Sequence, residues 1–422
     1  MKTLAKQRRL AICASATTFL LAGVTLLGAA GLDSGKEQKG SSPSALRKLR
    51  VIVLEGTPRN RGLTHGKAMR EEIQDAVRRW KTFLARAFKL DADVFIQRLV
   101  QRTDFVAAIK KWTPDLLEEI QGMAEGAGVD FDTMLALQLP DECFVNGRAV
   151  SAEHCSALGF AKGSGHFSCV AQNVDLPSFT DGLQVVLHIK EDSGSQAFIL
   201  TQVGCIGLAG MNSHGLGICC NAVWQLNNCR DGLPVSCVLR RVLQQRSEPD
   251  AVAFLHKVKH ATGQNYLIGG PVGVYDFECS ASRVERFKPD GRDDLVWHTN
   301  HPLVNQDYTP SYRSQRANPS DLAKREADTQ TRMECLAHRL ANSSAARDLA
   351  FVQSVLGARD SEKYPVSRPN KGNGLTFASV IMMLSESPVF YVYPGPPDGT
   401  PYEALSFAKA GSAPATRRHG KV

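Results

Sequence analysis

The hydrophobic positions along this chain follow two different periods, and the change between them falls near residue 155. Before it, three segments have apolar residues at every third and fourth position, the spacing of amphipathic helices. They are LTHGKAMREEIQDAVRRWKTFLARAF, DADVFIQRLVQRTDFVAAIKKW and TPDLLEEIQGMAEGAGV. A short β-branched run, RVIVLE, precedes them and ends in GTPRNRG, which is typical of a strand entering a turn. The sequence predicts a mostly helical segment over residues 49–154.

After residue 155 the apolar runs become short and β-rich, separated by Gly, Asp, Ser and Asn. They are SALGFA, HFSCVAQNVD, LQVVLHIK, QAFILTQVGCIGLAGM and GLGICCNAVW. Asn212-Ser213-His214-Gly215 predicts a hairpin turn between two of these strands. Helical spacing returns at PVSCVLRRVLQQ, EPDAVAFLHKVK and residues 329–340, and strands at NYLIGG, VGVYDFECSA, TFASVIMML and PVFYVY. Blocks of strands and blocks of helices predict a layered α+β fold over residues 155–405 rather than an alternating βαβ one.

The two ends of the chain differ from its middle. Residues 1–30 have a cationic start, an apolar run and the small residues Gly28-Ala29-Ala30, the order of a secretory signal peptide. The same run is long enough to remain as a membrane anchor. Residues 31–48 are polar and turn-rich and are predicted to be a linker, and residues 406–422 a flexible basic tail. The expected location is therefore secreted or periplasmic, outside the cytoplasm.

Composition and charge narrow the function classes. The chain has 422 residues, of which 43% are hydrophobic and 22% charged, enough for a large core. Its formal net charge of +8 falls to +4 without the four cationic residues of the first thirty. No basic stripe with aromatic residues is present, so nucleic-acid binding is not expected. The 11 cysteines include no CxxC pair, so zinc-finger and thioredoxin-type sites lose their usual support, and no metal or cofactor is expected. Neither GxSxG nor GxxxxGK occurs, so a serine hydrolase or a nucleotide hydrolase is not expected.

Cys155 stands where the helical segment ends and the strand block begins. Taken alone it could be an ordinary buried cysteine. A cut between His154 and Cys155 would, however, place a new α-amino group on the cysteine itself. An α-amine titrates at about 7.7–8.0 and a thiol at about 8.5, so the amine can take the thiol proton near neutral pH. The position makes Cys155 a candidate nucleophile and His154-Cys155 the candidate self-cleavage site.

Six short motifs carry a resemblance to a known family. They are EGTPRNRGLTHG from Glu55, CSA from Cys155, AQNVD ending at Asp175, GLAGMNSHGLGI from Gly207, NA at Asn221, and HTNHP around Asn300. In this order they resemble the acyl-coenzyme A:6-aminopenicillanic acid (isopenicillin N) acyltransferase-like family of cysteine N-terminal-nucleophile (Ntn) hydrolases. The resemblance extends over residues 49–399.

The resemblance implies a four-layer αββα Ntn-hydrolase sandwich. It also implies a precursor that cleaves itself before the nucleophile, leaving a small helical chain (49–154) bound to a larger catalytic chain (155–405). By similarity, Asp175 is the carboxylate near the Cys155 amine. Asn300 is an oxyanion donor, and the backbone N–H of Asn221 completes the oxyanion hole.

Each of these roles has a simpler structural alternative. Asp175 could cap a turn before Leu176-Pro177, Asn300 could be an Asx-turn residue, and Asn221 could merely end a strand.

Two positions depart from the family pattern. His154 precedes the nucleophile where the family often has glycine, and one hypothesis is that it assists proton transfer during the cut. Related amidases have an arginine close to the nucleophile, whereas TFASVIMML contains none. Arg368 lies seven residues before Leu375, the residue that precedes this stretch, and is not expected to take the place of the arginine found in related amidases.

The sequence thus predicts an exported, self-processed enzyme that opens a small-molecule N-acyl or peptide-like amide through a Cys155 thioester. Acyl transfer to an amine is the first alternative, although coenzyme A thioesters are not expected outside the cytoplasm. A non-catalytic exported binding protein, and a papain-like protease pairing Cys155 with His298, are the others. The small and large chains are expected to stay associated, and membrane contact is expected only if residues 1–30 are retained.

Overall fold

The computed structural model describes residues 49–147, 155–163, 167–341, 347–372 and 374–407. Four predictions fall outside them, namely the signal peptide (1–30), the linker (31–48), His154 and residues 408–422 of the tail. In the described part, no helix combines the length and apolar composition that a membrane span requires. None of the ten cysteines of that part is joined to another of them by a disulfide.

Residues 49–147, the described part of the segment before Cys155, contain one strand and seven helices, which agrees with the periodicity of the sequence. The strand is β1 (Arg50–Glu55), and the helices are α1 (Pro58–Ala68), α2 (Arg70–Phe88), α3 (Ala92–Arg102), α4 (Phe105–Trp112), α5 (Pro114–Ala127), α6 (Phe131–Leu137) and α7 (Pro140–Gly147). Local chemistry sets several starts. Pro114 is the first residue of α5, where its missing N–H has no cost, and the Asp130 carboxylate caps α6 by accepting from Thr133 N.

The strands form two sheets. Their bounds are β2 (Ser156–Phe160), β3 (Ser168–Leu176), β4 (Gln184–Lys190), β5 (Gln196–Gln202), β6 (Ala209–Asn212), β7 (Gly217–Ala222), β8 (Gln264–Gly269), β9 (Val274–Cys279), β10 (Val284–Phe287), β11 (Leu295–His298), β12 (Leu375–Leu384), β13 (Val389–Tyr393) and β14 (Glu403–Ser406). One sheet has the order β1-β4-β5-β6-β7-β8-β9-β10 and the other β11-β2-β3-β12-β13-β14. All paired neighbours are antiparallel except β1 and β4, which are parallel.

Two strand boundaries bear on the predictions. The predicted hairpin turn joins β6 to β7, with Gly215 in the left-handed region at φ 78°, where glycine is favoured. At the other end of the chain, β14 ends at Ser406, one residue inside the predicted tail (406–422).

The sheets face each other, and helices cover both outer faces. β2 and β3 contact β7 and β8 across the interior. The outer helices are α8 (Val235–Leu243) and α9 (Glu248–Lys257) on the eight-stranded sheet, and α11 (Pro319–Ala341) and α12 (Leu349–Leu356) on the six-stranded one, with α10 (Pro310–Gln315) leading into α11. Along β12, Val380 and Met382 enter the core between the sheets while Ile381 packs under the outer helices. The fold is the predicted αββα sandwich.

Helices α1 and α5 pack with their backbones in direct contact through glycines four residues apart. These are Gly62 and Gly66 in α1 and Gly122 and Gly126 in α5. A Cβ atom at Gly62 would lie 1.9 Å from Glu119 O, and one at Gly122 would lie 2.1 Å from Arg59 O. Only glycine permits this approach, because no side chain has to fit between the helices.

We expect Gly122→Ala to lower the free energy of unfolding by about 2 kcal/mol, because overpacking outweighs the gain in helix propensity. Urea denaturation of the uncleaved chain measures it. The control is Gln121→Ala, at an exposed position of the same helix, which should stay within about 0.5 kcal/mol of the parent. Equal stability of the two variants would show that the helices can separate without cost.

A buried ion pair joins the segment before Cys155 to the segment after it. Glu119 in α5 accepts two hydrogen bonds from Arg240 in α8, at 2.7 and 2.9 Å, and one from Arg61 in α1 at 3.3 Å. All three side chains are buried. Burial raises the pKa of Glu119, but the two arginines outweigh it and the pKa is lowered overall. The carboxylate is therefore charged, and removing one partner would leave a buried charge unpaired.

Candidate active site

Cys155 lies immediately before β2, which pairs with β3 inside the six-stranded sheet. Ser156 pairs with Asn173 across β2 and β3, which brings Cys155 beside the last residues of β3. Its Sγ is 4.0 Å from the backbone oxygen of Asp175, and the residue is 8% exposed. The predicted nucleophile and the predicted carboxylate residue are therefore neighbours.

The Asp175 carboxylate is fully buried and points to the adjacent strand. Its Oδ1 accepts from Thr376 Oγ1 at 2.7 Å, and its Oδ2 from Arg368 Nε at 3.3 Å. Burial raises the pKa of Asp175 to about 6, even though Arg368 and Arg332 lower it. The turn-cap alternative is wrong, because both carboxylate oxygens bind side chains outside the turn.

Arg368, which the sequence did not favour as a site residue, contacts Asp175 beside the candidate nucleophile. Its backbone is folded onto β12, since Arg368 N donates to Thr376 Oγ1 and Thr376 N donates to Arg368 O. The guanidinium then reaches Asp175 and, at 2.7 Å, Asp328. The separation in sequence between Arg368 and TFASVIMML does not reveal this contact, because the loop that carries Arg368 turns back beside β12.

Arg332 in α11 is the central residue that sequence analysis missed. It is completely buried, and its Nη1 donates to Cys155 O at 2.6 Å and to Ser156 Oγ at 2.9 Å. Its Nη2 donates to Asn300 Oδ1 at 3.0 Å, and its Nε to Asp328 Oδ1 at 2.7 Å. One rigid guanidinium thus holds the cysteine, the predicted oxyanion donor and a counter-ion in fixed positions.

Asn300 is positioned by its side chain and not by an Asx turn. Its Oδ1 accepts from Arg332 and its Nδ2 donates to Ala222 O at 3.1 Å. Because Arg332 can only donate, it fixes which end of the amide carries the N–H groups. The second N–H of Nδ2 is the group suited to a substrate oxygen, and the role of Asn300 as an oxyanion donor stays a prediction.

The backbone N–H of Asn221 is directed away from the site, contrary to the prediction. Val223 N donates to Gly263 O at the end of the β7–β8 ladder, and the alternation of an antiparallel pair directs the Asn221 N–H to Asn265 of β8. The next N–H, of Ala222, lies on the same side as the Ala222 carbonyl that binds Asn300. The structure therefore favours Ala222 as the backbone donor.

The side chain of Asn221 has a structural role. It accepts from Gln172 Nε2 at 2.8 Å and donates to His298 O at 2.9 Å, and it is fully buried. These contacts connect β7 to the six-stranded sheet. This structural role is close to the alternative that Asn221 merely ends a strand.

Glu278 in β9 supports the turn that carries Asn300. Its carboxylate accepts from His298 Nε2 at 3.0 Å on one side of Asn300, and from the N–H groups of Val304 and Asn305 on the other. Burial lowers the pKa of His298, but Asp276 and Glu278 more than offset this and the pKa is raised. Both ring nitrogens of His298 are bound, the second by Thr299 O at 2.8 Å. The papain-like Cys155–His298 pair is therefore not formed.

We expect Glu278→Gln to lower kcat by about tenfold with little change in KM, because the turn loses its charged anchor while the substrate pocket is untouched. Steady-state kinetics measure it. The control is Glu285→Gln in β10, an exposed position of the adjacent strand, which should match the parent. A change confined to KM would contradict a positioning role.

In the described part of the chain, no group of three or more His, Cys, Asp and Glu side chains is arranged so that it could hold a metal ion. His301, next to the site, binds Thr329 Oγ1 through Nδ1 at 3.0 Å, and burial lowers its pKa to about 4.

Comparison with known proteins places this geometry in a family. The family model described as acyl-coenzyme A:6-aminopenicillanic acid acyl-transferase matches residues 161–380, just over half of the chain. The 40 kDa form of acyl-coenzyme A:6-aminopenicillanic-acid-acyltransferase from Emericella nidulans is 26% identical over 337 residues, 78% of this chain and 88% of that protein. Protein dcd1A of Dictyostelium discoideum is 27% identical over 235 residues, which are 50% of this chain and 52% of the length of that protein.

Two solved structures have partial similarity. A mutant of conjugated bile acid hydrolase from Clostridium perfringens covers 59% of this chain and 92% of its own, at 15% identity and a TM-score of 0.38. Penicillin V acylase from Agrobacterium tumefaciens covers 60% and 87%, at 13% identity and a TM-score of 0.35. The αββα layering is evident from the sheets and helices of the chain itself, and the matched span contains Asp175, Asn300 and Arg332. The chain belongs to the acyl-coenzyme A:6-aminopenicillanic acid acyl-transferase family of enzymes.

Proposed function

We propose that this chain is an exported amidase of the cysteine N-terminal-nucleophile type that cleaves its own His154-Cys155 bond. The observation that carries the proposal is the position of Cys155. Its thiol lies beside Asp175, and Arg332 donates both to its carbonyl oxygen and to the side chain of Asn300. Export is supported by the charge and apolar pattern of residues 1–30.

Processing follows from the same groups. The Cys155 thiol attacks the carbonyl carbon of His154, and the nitrogen of that peptide bond leaves as the α-amine of Cys155. Water then hydrolyses the thioester that links the His154 acyl group to the Cys155 sulfur. The products are a carboxylate on residue 154 and a free amine on residue 155.

Turnover then uses the new amine as the base. The amine takes the thiol proton, the thiolate attacks the substrate amide, and Asn300 Nδ2 and Ala222 N–H stabilise the tetrahedral oxyanion. The substrate amine leaves with the proton, and water releases the acyl group from Cys155 as a carboxylic acid. Asp175 accepts a hydrogen bond from the ammonium form of the amine.

The two chains would stay together after the cut. The parallel pairing of β1 with β4 and the buried Glu119–Arg240 pair both cross between residues 49–154 and residues 155–405.

Acyl transfer is the second candidate, favoured by the family and by the similarity to the Emericella nidulans acyltransferase. The chemistry differs in one step, since an amine instead of water attacks the thioester on Cys155. Including 6-aminopenicillanic acid as an acceptor in the assay separates the two outcomes.

Intact-mass analysis of the chain expressed in a secreting host tests the proposal. We expect two fragments, one ending at His154 and one beginning at Cys155, with the first also lacking residues 1–30. Cys155→Ala should remain one chain and release no amine from a panel of N-acyl amino acids. The control is Cys335→Ala, a partly exposed thiol in α11, which should be processed and active.

A non-catalytic binding protein predicts a different result. One uncut chain, with Cys155 unreactive to iodoacetamide and no turnover of the panel, would contradict the amidase and leave the binding protein as the explanation.

A further inference from the structure

A second pocket lies in the helical segment and shares no lining residue with the site around Cys155. Its volume is about 210 Å³. Its apolar wall consists of Phe88, Leu90, Phe95 and Leu99. The rings of Phe88 and Phe95 stack with centroids 4.4 Å apart and planes within 2° of each other. Because the stacked rings cover each other's faces, their edges, together with Leu90 and Leu99, provide the apolar wall against which an alkyl chain can pack.

Three arginines surround the same pocket. Arg98 and Arg102 are four residues apart on one face of α3, and Arg230 comes from the loop after β7. Among the described residues, none of the three forms an ion pair with a carboxylate, unlike Arg240 or Arg332. Like charges four apart on a helix repel each other, and a third cation adds to this. The cluster therefore has uncompensated positive charge that an anion would neutralise.

The backbone between two of the apolar residues is strained. Lys89, at the end of α2, has φ 50° and ψ 41° and is one of two non-glycine residues with positive φ in the described chain. This left-handed conformation costs a residue with a side chain about 1 kcal/mol. It ends α2 with a left-handed cap and turns the chain so that Phe88 and Leu90, on either side, both line the pocket.

We propose that this arginine pocket binds a medium-chain carboxylate. The alkyl chain would pack on Phe88 and Phe95, and the carboxylate would accept hydrogen bonds from Arg98, Arg102 and Arg230, whose guanidinium groups match its geometry. A volume of about 210 Å³ beside an apolar wall suits a short alkyl chain with a charged head group. The proposal does not depend on amidase activity.

Calorimetric titration of octanoate into the full-length Cys155→Ala chain tests this, since that variant cannot turn over a ligand. We expect the Arg98→Gln, Arg102→Gln double variant to bind octanoate about tenfold more weakly, and Arg230→Gln to weaken it in the same direction. All three positions are exposed, so thermal unfolding should not change. The matched control is Arg86→Gln, an exposed arginine of α2 outside the pocket, which should bind like the parent.

Ligand chemistry provides the second test. Octanol and octylammonium should bind at least tenfold more weakly than octanoate, and raising the salt concentration should weaken octanoate binding. Equal binding of octanol and octanoate, or unchanged octanoate affinity in the double variant, would overturn the proposal. Either result can occur whether or not the parent chain hydrolyses amides, so failure here is distinguishable from failure of the proposed function.

Discussion

Replacing Arg332 with glutamine is expected to lower both the rate of cleavage before Cys155 and kcat/KM for amide substrates by about 10²–10³-fold, the cost of misplacing an oxyanion donor. The guanidinium binds Cys155 O, Asn300 Oδ1 and Asp328 at once. Glutamine can donate from one nitrogen only, so at least one of these contacts is lost and Asn300 loses its fixed orientation. Fragment masses over time and steady-state kinetics measure the two rates.

The arginine fork, and not its charge alone, is the important property. Arg332→Lys should therefore recover little activity, because an ammonium group cannot span the three acceptors. Arg325→Gln, on the exposed face of the same helix, is the control and should behave like the parent. Circular dichroism confirms that each variant is folded. Parent-like rates for folded Arg332→Gln would show that the buried network is structural only.

Because the amine must be neutral to act as the base, activity is expected to fall below the amine pKa of about 7.7–8.0. It should fall further below about 6, the pKa to which burial raises Asp175. Above that pH the carboxylate is ionised and pairs with Arg368, and it can accept a hydrogen bond from the Cys155 ammonium group. Below it, the carboxyl is protonated and both interactions are lost. The log of kcat/KM plotted against pH should show this acid limb.

The Asp175→Asn variant separates this titration from others in the site. We expect its kcat/KM to be lower by about 10²-fold at neutral pH and its acid limb near pH 6 to be absent, while a step near the amine pKa of about 7.7–8.0 remains. Asp192→Asn, in the exposed turn between β4 and β5, should leave the profile unchanged. Persistence of the limb in Asp175→Asn would assign it to another group.

The fold could be predicted from the sequence because its two halves have different hydrophobic periods. Apolar residues three and four apart before residue 155 form the end of α1 and helices α2 to α5, and β-rich runs after it form most of the two sheets. The register of the strand pairs and the order of the strands in the two sheets could not be predicted. Nothing in RVIVLE shows that β1 joins a sheet built from the later segment, parallel to β4, because that pairing depends on contacts about 135 residues apart.

The candidate site was predicted in part. Short motifs located Cys155, Asp175 and Asn300, which the structure brings together. Arg332 was missed although a signal existed, since it occupies the inward stripe of α11 with Thr329, Leu336 and Leu340. A charged residue at a core position of an amphipathic helix is costly unless it has partners, and this could have singled it out.

Two further features of the site could not be read from the sequence for a different reason. Arg368 reaches Asp175 through a loop that turns back on β12, and the direction of the Asn221 N–H depends on which residues of β7 form the bonded pairs with β8. Both are properties of three-dimensional pairing that a linear motif does not record.

A cut before Cys155 would change the kind of folding reaction this chain undergoes. While the chain is continuous, β1 reaches β4 by an intramolecular closure whose probability does not depend on protein concentration. Once residue 154 is separated from residue 155, the same pairing becomes a bimolecular association, and apparent stability rises with concentration. Denatured mature enzyme diluted to low concentration would therefore recover poorly, and the native pair would persist through slow unfolding. The covalent link would then act as a folding aid that is used once.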